Sequence, residues 1–237
     1  MSTLVHMLPL ISPWWSSAEN LSDLGRVLLE DKRPVVLIGN KGSGKTSMLF
    51  QSAVTYASEG GTVVFICHQP LSQIPLTVHG MPSPDPSVLQ SVRFLYMSDV
   101  KELVEFCASI HTRACLPSVI IVDNMDSYVH QLKGNCVEHA AAKLCAMLMD
   151  TANFIQYKSK KACLVVMSAS DTIKSLPSIL KQFNMNPVFI EKSDHSSSGK
   201  ECKLLAKTSQ STPVEVILCI NTSVITVKQL QFSTAPT

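Results

Sequence analysis

Eight consecutive residues carry recognisable chemistry: Gly39-Asn40-Lys41-Gly42-Ser43-Gly44-Lys45-Thr46. They satisfy the pattern G-x-x-x-x-G-K-[ST] at every specified position. Glycines let the chain curl so that successive N–H groups point at one phosphate. A helix starting at the end of the loop adds the partial positive charge of its N-terminus. The Lys45 ammonium then reaches a β- or γ-phosphate, and the Thr46 hydroxyl holds Mg²⁺. At average composition a chain of this length meets the pattern by chance on the order of 1% of the time. A plain glycine turn before an ordinary helix is therefore the weaker reading.

The flanks fit this chemistry. Pro34-Val35-Val36-Leu37-Ile38 predicts a buried strand, and Thr46 to Ser58 predicts a helix. A second chemical group stands at Asp123, which ends the apolar run Pro117 to Val122. An acid there lies at the carboxyl edge of a sheet, where open α/β folds bind ligands. It can hold the water shell of Mg²⁺, and the competing reading is a helix-capping aspartate. Asp126, three residues on, reads as a cap.

The elements that must position these groups alternate. Thr62–Cys67 and Ala162–Ser168 are further apolar strand candidates. Residues 68–86 predict an irregular connection with five prolines. Asp85-Pro86 opens a helix that includes Val88, Leu89 and Val92, and Phe94-Leu95-Tyr96 predicts a strand. Ser98 is expected to cap the next helix, with Glu102 in the capping-box place. Cys136 to Tyr157 predicts a long helix. Four strands are expected over 187–191, 201–206, 214–220 and 223–230, joined as antiparallel hairpins with a linker at Ser196–Gly199. Residues 1–15 read as loop ending in Trp14-Trp15, followed by a short amphipathic helix from the Ser16 cap to about Glu30. The expected organisation is an N-terminal extension over 1–33, an ATPase domain over 34–230 and a tail over 231–237.

Composition narrows the class. Of 237 residues, 46% are hydrophobic and 16% charged, which excludes a disordered chain. A net charge of +2 leaves nucleic-acid contact to local patches. None of the eight cysteines forms a Cys-x-x-Cys pair, and most lie in apolar runs, as expected of core residues in a reducing compartment. The first residues lack a basic leader, and no apolar run reaches a membrane span, so no membrane association is expected. Asn-Lys-x-Asp, which would mark a guanine site, is missing. Four arginines are too few for the lid of a small-molecule kinase, and Asp123 is followed by Asn124 rather than glutamate.

Several motifs together resemble one family. These are Gly-Ser-Gly-Lys-Thr followed by Met48-Leu49-Phe50, Gln69-Pro70-Leu71-Ser72-Gln73-Ile74-Pro75, Leu89-Gln90-Ser91-Val92-Arg93-Phe94, Val122-Asp123-Asn124-Met125-Asp126-Ser127-Tyr128, and Leu148 to Phe154. Over about residues 34–168 they resemble the ATPases associated with the SWIM-type zinc-finger protein of the vertebrate Shu complex, divergent paralogues of the RecA-type recombinases. The resemblance implies an α/β, RecA-like P-loop core with a mostly parallel sheet flanked by helices and antiparallel C-terminal strands. It implies a nuclear protein that binds ATP, Mg²⁺ and single-stranded DNA. It also implies a SWIM zinc-finger partner and a supporting role for recombinase filaments in homologous recombination and meiosis. Two departures imply slow or partner-dependent hydrolysis: Cys67-His68-Gln69 has no acid where the family's glutamate stands, and Met167-Ser168-Ala169-Ser170 has no glutamine. A nucleotide-binding scaffold without meaningful turnover is the alternative. Expected DNA contacts are Lys174 and Lys181, in the chain position of a recombinase DNA loop, and Lys158, Lys160 and Lys161 after the long helix. Apart from Phe183 no aromatic interleaves with them.

Overall fold

Val35 and Leu37 belong to one apolar cluster and Val36 and Ile38 to another, so the first strand is buried on both faces. A strand that is apolar throughout demands such a place, with helices on either side. The computed structural model describes residues 3–10, 31–132, 136–192, 200–207 and 213–232. Trp14 and Trp15, the helix expected from Ser16 to Glu30, the Ser196–Gly199 linker and residues 233–237 lie outside them.

The strands are β1 (Val35–Gly39), β2 (Val63–Cys67), β3 (Thr77–Val78), β4 (Val92–Tyr96), β5 (Val119–Asp123), β6 (Leu164–Ala169), β7 (Asn186–Lys192), β8 (Lys200–Lys207), β9 (Pro213–Ile220) and β10 (Val224–Phe232). Among the described residues they form one sheet in the order β3-β10-β9-β8-β7-β1-β6-β5-β2-β4. From β7 to β4 the strands are parallel, and β7, β8, β9 and β10 pair antiparallel. The helices are α1 (Thr3–Met7), α2 (Lys45–Ser58), α3 (Pro86–Leu89), α4 (Val100–Ala108), α5 (Asp126–Val129), α6 (Val137–Ser159) and α7 (Leu176–Gln182). On one face α2 packs with alternate residues Val35, Leu37, Val63, Phe65, Val119 and Ile121. On the other, α4, α5, α6 and α7 cover Val36, Ile38, Val64, Ile66, Ile120 and Val122.

α2 is enclosed rather than merely covered: every residue from Ser47 to Ala57 is buried. After β2 the chain crosses this helix, adds β3 to β10 and returns to β4 beside β2. Buried polar groups on α2 hold the crossing. Gln51 Oε1 accepts the Val78 N–H at 2.9 Å, and its Nε2 donates to Pro82 O at 2.9 Å. The Leu76 N–H donates to Ser47 Oγ at 3.2 Å. Residues 3–10 close the remaining side, with the His6 ring stacked on Tyr56 at 3.8 Å and Leu4, Met7, Leu8 and Leu10 buried.

Four local expectations need correction. Residues 3–7 are helical, not loop, because their apolar side chains complete the cluster around α2. The 68–86 connection contains β3. Val92 opens β4 instead of extending α3: it pairs with Val63, and sheet pairing outweighs one more turn of a four-residue helix. Asp99, not Ser98, caps α4. Glu102 is the third helical residue counted from Asp99, and each side chain accepts the other's backbone N–H. The Ser98 carbonyl instead accepts from Gln131 Nε2 at 3.0 Å.

Candidate nucleotide-binding site

β1 delivers the loop Gly39–Thr46 to the carboxyl edge of the sheet. Two glycines are required by contact. A Cβ on Gly39 would lie 2.6 Å from Ile190 O on β7. Gly44 has φ +83°, where L side chains are strained, and a Cβ there would meet Ile220 Cδ1 at 2.9 Å. Gly44 caps α2 with no side-chain hydrogen bond, so the first-turn N–H groups are left for an external acceptor. Lys45 folds over the loop, its Nζ donating to Gly39 O at 2.5 Å and Asn40 O at 2.8 Å. Burial lowers its pKa below 10.5, opposed by the carboxylates of Asp123, Asp126 and Asp171. Ser43 Oγ is buried with no partner among the described residues.

β6 lies between β1 and β5, and this order assembles the second half of the site. Thr46 Oγ1 donates to Asp123 Oδ2 at 2.8 Å. Ser168, on the intervening strand, donates to Asp123 Oδ1 at 2.6 Å and accepts the Asn124 N–H at 2.8 Å. One carboxylate is thus clamped by two hydroxyls from two other elements. Asp126 does not serve as the cap expected of it. It is the first residue of α5, and its carboxylate accepts from Ser170 N and Ser170 Oγ, both at 2.7 Å, tying down the loop after β6. In that loop Asp171 faces the phosphate loop, where the Asn40 amide, turned so that its nitrogen faces the carboxylate, donates to its two oxygens at 3.1 and 3.2 Å. Past the end of β2, the His68 ring meets the edge of Tyr128 at 6.0 Å, and Gln69 is exposed. Burial and the nearby Asp123 push the Cys67 thiol up to about 12, so it supplies no nucleophile.

The structure therefore brings together Gly39, Asn40, Lys41, Gly42, Ser43, Gly44, Lys45, Thr46 and Asp123, and adds Ser168, Ser170 and Asp171. Ser168 had a legible signal, a polar residue within a fully apolar strand. Asp171 had none. The five lysines expected to touch DNA are not brought together. Exposed Lys174 shares the carboxyl-edge loop with Asp171. Lys158, Lys160 and Lys161 end α6 where β6 begins, at the opposite edge, about 20 Å away by the length of a six-residue strand. Lys181 lies near the end of α7, beside a hollow of about 820 Å³ shared with Arg33, Phe189 and Leu205. Phe183 packs against the core, whereas Tyr157 is exposed.

No protein-family model matches the chain. It is similar to the curated proteins ATPase SWSAP1 of Mus musculus (35% identical over 127 residues, 53% of this chain and 44% of the relative) and ATPase SWSAP1 of Homo sapiens (34% over 127 residues, 53% of each). The chain spans about half the length of the curated relatives it matches. Among solved structures it is similar to the flagellar accessory protein FlaH of Methanocaldococcus jannaschii (TM-score 0.57, 14% identity, 84% of this chain and 90% of that one). A KaiC-like protein of Pyrococcus horikoshii has TM-score 0.57 at 12% identity, with 84% and 90% covered. A DnaB-like replicative helicase has TM-score 0.55 at 10% identity, with 84% and 59% covered. The fold is thus the RecA/KaiC-like P-loop α/β fold, and over about half its length the chain is homologous to the SWSAP1 ATPases.

Proposed function

We propose that the chain binds ATP with Mg²⁺ at Gly39–Thr46 and Asp123 and hydrolyses it slowly, or only with a partner. The observation that carries this is the Thr46–Asp123 hydrogen bond beside Lys45: a hydroxyl and a carboxylate suited to Mg²⁺ stand next to a lysine at a helix start that has no side-chain cap. The residues fit the ligand. Buried, unpartnered Ser43 Oγ and the first-turn N–H groups of α2 offer donors to phosphate oxygens. Lys45, now spanning the loop, would turn to the β- and γ-phosphates. Thr46 and Asp123 would hold Mg²⁺, which when bound would neutralise charge on the phosphate oxygens. Asp123 is kept in place by Ser168. Residues 68–84, which follow β2, include no carboxylate to take a proton from water, which supports slow turnover.

The resemblance and the SWSAP1 homology support the wider role. In it the chain acts in the nucleus with a SWIM-type zinc-finger protein and single-stranded DNA, and supports RecA-type recombinase filaments in recombination and meiosis. Lys174 on the carboxyl edge is its nearest DNA contact to the nucleotide. No helix among the described residues is long and apolar enough to cross a membrane. The test is nucleotide binding and phosphate release by the chain, alone and with its partner, with and without single-stranded DNA. Lys45→Ala is expected to abolish both, and turnover equal to the parent's refutes the proposal.

A second reading, a nucleotide-binding scaffold without hydrolysis, is favoured by the same His68-Gln69 segment. Nucleotide binding with no release of phosphate under any of these conditions selects it.

A further inference from the structure

The C-terminal end of α6 breaks a local rule. Lys160 has φ +59°, a left-handed conformation that glycine or asparagine takes at lower cost. Its Nζ stands 4.5 Å from the centre of the Tyr157 ring. Tyr157 is 74% exposed, the most exposed of the large hydrophobic side chains described. Asn153, Tyr157 and Lys160 follow one another at helical spacing along one ridge. With Gln156 they line a hollow of about 450 Å³. Two more lysines flank Lys160 in the chain: Lys158, whose Nζ donates to His111 O at 2.8 Å, and exposed Lys161. Neither residues 106–122 nor residues 151–170 include an aspartate or glutamate. The nearest acid on the ridge, Asp150, is two turns from Tyr157.

A solvated helix end explains the lysines, because cations are favoured there. It does not explain an exposed tyrosine beneath a cation, or a strained lysine where glycine is easier. An acidic peptide would pair with the charge and leave Tyr157 and the two amides without a role. A single strand uses every group: phosphates meet the lysines, a base stacks on Tyr157, and Asn153 and Gln156 meet base edges.

We propose that this end of α6 is a single-stranded DNA platform on the opposite edge of the sheet from the phosphate loop, with Tyr157 as its stacking residue. The inference rests on the DNA-binding reading above. It adds a site that neither the phosphate loop nor the Lys174 loop supplies. A strand held here runs clear of the nucleotide, so its binding does not require ATP.

The experiment is anisotropy titration of a fluorescent thirty-nucleotide oligo-dT with the full chain, at several salt concentrations. Tyr157→Ala is expected to weaken binding roughly 5- to 150-fold, the range for loss of one stacked base, and Tyr157→Phe to restore most of it. Lys160→Gly relieves the backbone while deleting the cation. It should raise the melting temperature, weaken binding, and reduce the slope of log affinity against log salt by about 0.7. Binding of a fluorescent ATP analogue should be unchanged in all three variants. Parental affinity in Tyr157→Ala overturns the proposal, as does competition by polyglutamate equal to that by unlabelled oligo-dT. Loss of binding only in Lys174→Ala places the strand at the carboxyl edge and overturns this proposal alone. A parent chain that does not bind oligo-dT overturns the DNA reading with it.

Discussion

Ser168→Ala tests whether the site is assembled through β6. Ser168 is fully buried, and its hydroxyl makes two hydrogen bonds. It donates to the Asp123 carboxylate at 2.6 Å and accepts from the Asn124 N–H at 2.8 Å. A charge-assisted hydrogen bond contributes about 1.5–3 kcal/mol, and an N–H orphaned in the interior costs about 1–3 kcal/mol. Asp123 is only half-buried and Asn124 is exposed, so water can replace part of both losses. The expected destabilisation is therefore about 2 kcal/mol. For a chain of this size that is a fall of roughly 4–8 °C in melting temperature. Asp123 should also lose its fixed orientation toward Thr46. Removing the partner of a metal-holding carboxylate typically lowers metal affinity about 10- to 100-fold. The assay is thermal unfolding in EDTA, then titration of a fluorescent ATP analogue with Mg²⁺ and with EDTA. Affinity in Mg²⁺ should fall at least about tenfold while affinity in EDTA stays close to the parent's. A melting temperature within 1 °C of the parent (~0.3 kcal/mol at this size), with unchanged Mg²⁺-dependent affinity, would refute the reasoning.

Other outcomes follow from single contacts. Lys45 has a lowered pKa, so it loses its charge at a pH below 10.5. Nucleotide affinity should fall with rising pH earlier than an ordinary lysine would allow, and Lys45→Arg should flatten that profile. The stability sign is opposite. Between the folded pKa and 10.5 the unfolded chain binds more protons, so the Lys45 contribution to stability rises with pH through that window, and Lys45→Met should remove this rise in urea unfolding at several pH values. Gln51→Leu leaves the Val78 N–H and the Pro82 carbonyl unpaired, with an expected cost of about 2–4 kcal/mol in urea unfolding at unchanged slope. Burial pushes Cys67, Cys145 and Cys163 up to about 12, whereas Cys115 is exposed. Iodoacetamide at pH 8 should modify Cys115 well ahead of these three, read by peptide mass spectrometry, and equal rates would show that the core opens on the labelling timescale.

Much of the architecture was legible because its signals are local. Apolar runs such as Val119 to Val122 fit only a strand covered on both faces, and the alternation of such runs with helices implies parallel pairing. The C-terminal hairpins were legible from turn residues between short strands. The errors occurred where two local preferences were close in strength. Val92 suits a helix end or a strand, and pairing with Val63 decided it. Ser98 and Asp99 are both good caps, and Gln131, thirty-odd residues away, took the Ser98 carbonyl. Residues 3–7 carry too short a pattern to read alone, and they are helical because α2 offers them a surface.

The loop Gly39–Thr46 could be read from sequence because its pattern lies in eight adjacent residues, whose glycines, lysine and threonine are brought together by neighbouring backbone. Asp123 could be read because an acid ending an apolar strand has one edge of the sheet to occupy. What surrounds them was decided by tertiary structure. Ser168 and Asp171 reach the site through strand order and a loop, contacts that no spacing along the chain encodes. The same strand direction carries Lys158, Lys160 and Lys161 to the far edge of the sheet and leaves Tyr157 exposed among them. Adjacent chemistry is written in sequence, whereas chemistry between elements depends on which strands pair and on which edge each helix ends.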